Sequence, residues 1–332
     1  MTSPTALALL ASTPVDAPIP PQSLTTALSS PPFITTIPGA LNVRDLGAYA
    51  PLRGLLRPRT VFRSGTLDFL PAESRPLLRS QLGVSRVVDF RRRDEVKVPL
   101  LVGGGNGVEG VTLVSCPYMD GREQPRQMGP GDFVAKEGEE LSTGYEVMYD
   151  VILKGYTTGY RTVFEALRTA GEDNAVLFHC TGRQTAIADP FPGGKDRTGV
   201  MAALILDLLG APIDVIADEY ALTRIGTEPW REKLLPVALR SFGVQASTAA
   251  PDPRALSGDG ETKDQEATGG EVTVDIETPG MREMLGTYAA VMKRFVERLR
   301  GEYGGAEGYM KNHLGFSDTD VAQIRANLSP SN

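Results

Sequence analysis

Apolar positions along the chain follow two periods. Short apolar runs bounded by turn residues predict strands at residues 59–63 (RTVFR), 84–90 (VSRVVDF), 111–116 (VTLVSC) and 175–179 (AVLFH). Between and after them the pattern turns helical. Residues 71–82 predict a helix stopped by Gly83, and residues 141–170 a long one, with Tyr149, Ile152, Tyr156, Tyr160, Val163 and Phe164 near helical spacing. Residues 198–209 are apolar on nearly every side and predict a buried helix; Gly210 ends it, and Pro212 opens the next, 213–223. Residues 281–299 and 307–313 also read as helices, and Ser317-Asp318-Thr319-Asp320 as the capping box of a last one ending near Leu328. Strands alternating with helices predict a single α/β domain with a central, largely parallel sheet flanked by helices.

Two segments stand outside this pattern. Residues 1–32, rich in Pro, Ser, Thr and Ala, predict a disordered lead to a catalytic domain spanning 33–330. Residues 244–280 hold eight acidic side chains against Arg254 and Lys263, and predict a flexible acidic linker open to proteases. That linker carries −6 of the net charge of −7, so the rest of the chain sits near −1. Without a basic stripe and interleaved aromatics, nucleic-acid binding is not expected. There is no run of 18 apolar residues, so no membrane span is expected. The first basic residue is Arg44, which speaks against a secretory or transit leader. Two cysteines, Cys116 and Cys180, make no disulfide framework, and a reducing, cytoplasmic setting follows.

The candidate chemistry lies at Cys180. This thiol ends a predicted strand and faces the N-terminus of the helix beside Lys195 and Arg197, where backbone N–H groups and the helix dipole favour an anion and a thiolate. A phosphate cradle built from one Cys and one Arg needs the Arg six positions on, so that the chain curls round the phosphate. Position six is Ala186, and Arg197 lies seventeen positions on, because residues 183–193 intervene. If these eleven residues loop out, Cys180, Thr181, Gly182, Gly194, Lys195, Asp196 and Arg197 restore a seven-residue turn. Thr198 then places a hydroxyl at the sulfur. Residues 183–193 are also open to removal before translation, since codon degeneracy allows an in-frame GT…AG interval there. Two histidines without His/Asp spacing offer no dinuclear metal site, so no metal or cofactor is expected. Lys195 is followed by Asp196, so GGKD is no nucleotide-binding loop. Cys116 reads as a small buried hydrophobe, His313 as a surface residue, and residues 91–95 (RRRDE) as a solvated turn in which Arg91 is structural.

With the insertion set aside, the segment reads HCTGGKDRTG and resembles the loop of the tyrosine-phosphatase-like family among the Cys-x5-Arg phosphatases. Asn42-Val43-Arg44-Asp45-Leu46-Gly47 resembles that family's NxRDLG motif, Phe62-Arg63-Ser64-Gly65 its YRSG turn, and residues 82–91 its LGI-x-x-VIDLR strand. Residues 213–223 and 309–317 are similar to its downstream helices. The resemblance implies a Cys-dependent phosphomonoesterase working through a phosphocysteine, with Cys180 as nucleophile, Arg197 as phosphate clamp and Asp196 as candidate acid. It implies substrate binding by Thr181, Gly182, Gly194, Lys195, Thr198 and Gly199, with His179, Arg44, Asp45 and Arg63 beside the site. The substrate it implies is protein phosphotyrosine. Lys195, as a second cation beside Arg197, keeps a phosphoinositide open as the alternative. The insertion keeps open a phosphate-binding pseudophosphatase.

Overall fold

The computed structural model describes residues 2–92, 95–96, 108–118, 128–181, 193–243 and 275–330. Five strands form one sheet: β1 (Arg44–Asp45), β2 (Val61–Ser64), β3 (Val84–Asp89), β4 (Thr112–Ser115) and β5 (Ala175–His179). Their spatial order is β1-β2-β5-β3-β4, parallel throughout except for the antiparallel edge strand β1. The sheet is therefore largely parallel, as the alternation of strands and helices requires. β5 is the central strand, and all five of its residues are buried. Its pleat sends Val176 and Phe178 to the large core on one face, and Ala175 and Leu177 to a smaller core on the other.

Thirteen α-helices are found among the described residues. α1 (Pro4–Ala11) and α2 (Pro21–Leu28) precede the sheet, and α3 (Leu77–Ser80) precedes β3. α4 (Gly144–Gly155) and α5 (Thr157–Leu167) lead into β5. After β5 come α6 (Asp196–Leu208), α7 (Ile213–Ala221), α8 (Thr223–Thr227) and α9 (Arg231–Gly243). α10 (Met281–Leu285), α11 (Ala289–Tyr303), α12 (Gly305–His313) and α13 (Asp318–Leu328) complete the chain. α6 is buried along nearly its whole length and packs against α4, α7 and α12. Its all-round apolar sequence demands such a position. Ser317 and Asp320 form the reciprocal capping box of α13 that their spacing predicts.

The structure corrects three expectations. The long helix over 141–170 is broken at Tyr156, where the backbone leaves helical geometry at φ −110° and ψ 21°. Gly155 sits at the break because a Cβ there would lie 1.8 Å from the Tyr118 ring. Residues 281–299 divide likewise between α10 and α11. Most plainly, the segment up to residue 32 is not an unstructured lead. α1 is capped by Ser3 and opened by Pro4, and Leu7, Ala11, Val15, Ile19 and Ala27 are buried in the main core. The four-residue spacing of Leu7, Ala11, Val15 and Ile19 is a periodic apolar signal that the Pro-rich composition conceals. Residues 183–192 of the insertion and 244–274 of the acidic linker lie outside the described residues.

Candidate active site

β5 ends at His179 and delivers Cys180 to the C-terminal edge of the sheet. There Ser64 of β2 and Asp89 of β3 both lie opposite His179. In open α/β sheets this is the edge at which ligands bind. Cys180 is fully buried. Its Sγ lies 3.6 Å from Thr198 Oγ1, the hydroxyl anticipated at the sulfur. The Thr198 hydroxyl donates to the Gly194 carbonyl. The Thr181 carbonyl accepts from the Arg197 guanidinium, sixteen positions away. The two halves of the interrupted turn therefore meet across the insertion. Gly182 lies outside the described residues.

The second half of the turn is held from below. Asn42 donates through Nδ2 to the Gly193 carbonyl at 2.6 Å, and Arg63 donates to the carbonyls of Gly194 at 2.8 Å and Lys195 at 3.3 Å. Arg44 donates to the Asn42 side-chain oxygen and, through Nε, to Glu219 Oε1 at 3.0 Å. Arg63 Nη1 takes the other oxygen, Glu219 Oε2, at 2.6 Å. Glu219 is thus shared by two buried guanidiniums. Burial would raise its pKa, but Arg63 and Arg44 together hold it below the ordinary glutamate value. Arg44 and Arg63 are placed as site-adjacent residues, and both support the loop backbone. Asp45 takes another part: its carboxylate accepts from the amides of Gly47 at 3.0 Å and Arg59 at 2.8 Å, pairing with neither Arg44 nor the loop. Burial raises its pKa to about 6.

Gly194 is fixed by conformation and by space. Its φ is +66°, and a Cβ there would sit 1.9 Å from the Ser64 carbonyl oxygen. Gly194→Ala is accordingly expected to destabilise the fold by at least ~1–2 kcal/mol, the cost of a left-handed alanine alone. Urea unfolding at neutral pH reads that difference directly. Gly199 serves packing: a Cβ there would lie 2.9 Å from the Tyr220 ring of α7.

Arg197 is buried and heavily engaged. Its Nη1 donates to Glu95 Oε2 at 2.7 Å and to the Phe90 carbonyl at 3.0 Å, while Nη2 donates to Glu95 Oε1 at 3.1 Å. Burial alone would lower its pKa, but Glu95 first, then Tyr156 and Cys180, raise it well above the ordinary arginine value. Glu95 itself is only 3% exposed, and Arg91 is equally buried between Asp89 and Asp68. Residues 91 and 95 are therefore not part of a solvated turn. The loop leaving β3 opens at the same sheet edge as the loop leaving β5, and this lets Glu95 reach Arg197. The bridging role of Arg91 agrees with a structural reading; Arg93 and Asp94 lie outside the described residues.

Lys195 and Asp196 open α6 and point into a tyrosine cluster. The Lys195 ammonium donates to the Met284 carbonyl at 2.7 Å, the Gly286 carbonyl at 3.3 Å and the Tyr145 hydroxyl at 3.2 Å. Asp196 Oδ1 accepts from the Tyr149 hydroxyl at 3.0 Å, and the Tyr149 hydroxyl lies 3.0 Å from that of Tyr220. Asp196 Oδ2 lies 3.6 Å from Lys195 Nζ and accepts no hydrogen bond among the described residues. Burial raises the Asp196 pKa. His179 faces Asp89 on β3, with Nε2 3.7 Å from Oδ2, rather than the loop. Burial pulls its pKa down to about 4, so the ring is neutral at physiological pH. The Lys195 side chain does not cap the N-terminus of α6, and the first N–H groups of such a helix favour an anion.

Sequence reasoning missed Glu95, Glu219 and Asn42 as site residues. For Glu219 a signal existed: it is a carboxylate beside buried Ile216, Ala217 and Tyr220 on one apolar helix.

The chain is similar to known protein phosphatases. The chain is 30% identical over 171 residues to a tyrosine-protein phosphatase of Nostoc commune, covering 51% of this chain and 44% of that protein. It is 25% identical over 314 residues to the triple specificity protein phosphatase PtpB of Mycobacterium tuberculosis, covering 89% of this chain and 99% of that protein. The chain thus spans less than half of the Nostoc protein and nearly all of the mycobacterial one. No described helix is long and apolar enough to cross a membrane. The sequence model of the tyrosine phosphatase family matches residues 35–330, from the approach to β1 to the end of α13. With so continuous a match, the chain belongs to the tyrosine phosphatase family.

Proposed function

We propose that this protein is a Cys-dependent phosphomonoesterase that hydrolyses protein phosphotyrosine through a phosphocysteine. One observation carries the reading: Cys180 meets Thr198, and Thr181 meets Arg197, across the eleven-residue insertion. The thiolate of Cys180 attacks phosphorus, forming S–P while the ester P–O bond breaks. A general acid gives its proton to the departing oxygen; Asp196, whose pKa burial raises, is the candidate, and it has to turn from the Tyr149 hydroxyl to reach that oxygen. Water then attacks phosphorus, S–P breaks, Asp196 recovers a proton, and phosphate leaves. The N–H groups opening α6 and the Arg197 guanidinium stabilise the equatorial oxygens. Since Glu95 takes both terminal nitrogens of Arg197, a bound phosphate accepts from Nε or displaces a Glu95 oxygen. In the thiolate state the Thr198 hydroxyl turns from Gly194 to the sulfur. Chemistry through a thiol suits a reducing cytoplasm.

The disposition of Lys195 favours protein over lipid substrates. Its ammonium donates to the carbonyls of Met284 and Gly286 and to Tyr145, so the second cation that a more highly charged head group would use is held by other elements. The Nostoc relative is named a tyrosine-protein phosphatase, whereas the name of the mycobacterial one, triple specificity, does not separate the two substrate classes. Catalytic efficiency is expected to be higher on a phosphotyrosine peptide than on soluble phosphoinositides; a preference for the lipid head group would reverse the assignment.

The pseudophosphatase reading is tested by a second chain lacking residues 183–193. Gly182 then stands where Gly193 now meets Asn42, so the supporting contact can be kept. Equal, Cys180-dependent rates in both chains are expected if the two halves of the turn close as described. A gain of ~10²-fold or more on deletion, the scale of misplaced catalytic groups, would mark the full-length loop as disabled.

A further inference from the structure

The matched family residues begin at 35, yet the segment before them is built into the domain. Its centre, residues 13–19, lies in a receptor made by α8 and α9. Arg224, 5% exposed, donates to the backbone carbonyls of Thr13 at 3.1 Å, Pro14 at 3.2 Å and Ala17 at 2.6 Å, and pairs with Glu228. Glu228 closes the ring by accepting the Ile19 amide at 2.7 Å. Such contacts recognise a backbone path, while Val15 and Ile19 anchor it in the core.

The other side of α8 faces the catalytic loop. Thr223 Oγ1 accepts from Arg44 Nη2 at 3.2 Å, and a Cβ on Gly226 would lie 1.9 Å from Asn42 Oδ1. Asn42 in turn holds the Gly193 carbonyl. α8 is one helical turn and a half long, too short to keep its place unaided. Between the N-terminal segment and the loop it is therefore a shim.

We propose that residues 13–19 form a brace that sets the position of the catalytic loop through α8, with Arg224 as the positioning residue that reads it. The inference rests on the phosphatase reading of the loop for its activity readout. A merely structural N-terminus would contribute stability and leave the loop where it is. A brace must also be coupled in the reverse direction, because linkage between two sites is reciprocal.

Two variants of the full chain break the brace from opposite sides, Arg224→Gln from the receptor and Leu7→Asp from α1, which packs on α7 and α8. Each is compared with wild type well below its melting temperature, using aryl phosphate hydrolysis corrected for the fraction of active sites, and vanadate affinity. The brace predicts that kcat falls by ~10–10²-fold and vanadate binding weakens, the scale of a loop misplaced by ~1 Å. Folded variants with lower melting temperatures but wild-type kcat and vanadate affinity overturn the proposal. Wild type supplies a test that needs no variant: vanadate should slow hydrogen exchange at the Ile19 amide, and unchanged exchange there also overturns it. If wild type binds no vanadate, the phosphatase reading fails on its own. The brace is then read as faster hydrogen exchange over residues 193–203 in Leu7→Asp, and unchanged exchange refutes it.

Discussion

Replacing Cys180 with serine is expected to lower kcat on aryl phosphates by at least ~10³-fold, because an alkoxide is not available at neutral pH where a thiolate is. The measurement is made in EDTA, so that no adventitious metal supplies a second route. Turnover that survives the substitution would sink the mechanism, whatever the substrate. Arg197→Lys provides the companion result. A lysine keeps the positive charge but cannot span the Glu95 carboxylate with two parallel hydrogen bonds while reaching Thr181. A loss of ~10²–10³-fold in kcat is expected, the scale for removing one oriented donor from a developing anion. A much smaller loss would mean that charge, and not the fork geometry, is what the loop requires.

The largest effect on stability is expected at Glu219. Its two oxygens are divided between Arg44 and Arg63, and all three side chains are at most 1% exposed. Removing the carboxylate in Glu219→Ala leaves two buried guanidiniums facing each other, at a cost of about 3–5 kcal/mol. Against a total stability of ~5–15 kcal/mol, this brings the domain near its folding threshold. Urea unfolding at neutral pH measures the difference. The same pair predicts a pH dependence. The Glu219 pKa is lower in the folded chain than its unfolded value of 4.5, so its contribution is complete above that value. It is lost as the pH falls through the folded value. The stability gap between wild type and Glu219→Gln should therefore be widest at neutral pH and shrink on acidification below 4.5; a gap that stays constant would show that the charge on Glu219 is irrelevant.

The parts of this molecule that could be read from its sequence are those set by local pattern. β5 is legible because its first four residues are an unbroken apolar run, and the start of α6 because GKDRTG leads into a mostly apolar helix. The union of Cys180 with Arg197 was legible only once the insertion was set aside. Partners that come from other strands and helices left weaker traces. Nothing near Glu95 in sequence says that it pairs with Arg197; that pairing follows from parallel strands β3 and β5 opening their loops at one sheet edge. Lys195 read as a phosphate ligand because it neighbours Arg197 in sequence. In the fold, the start of a helix turns successive side chains in different directions, and Lys195 reaches the carbonyls of Met284 and Gly286 instead. Residues 2–32 misled through composition: proline at a helix N1 position and an apolar residue every four positions were outweighed by the count of Pro, Ser and Thr.

The grip of Lys195 on those two carbonyls has a consequence for how the chain is joined. Everything needed for bond breaking, from Cys180 to Glu219, precedes residue 244, while the acceptors that hold Lys195 follow residue 274. α11 packs on α7, and α12 on α6, so the later helices are seated by side-chain burial at several points. Both portions belong to one chain, so their contact is intramolecular and its effective concentration is set by covalent connection. The C-terminal helices thus serve the catalytic portion as a docked subunit would, through packed helices and two carbonyls that fix one lysine.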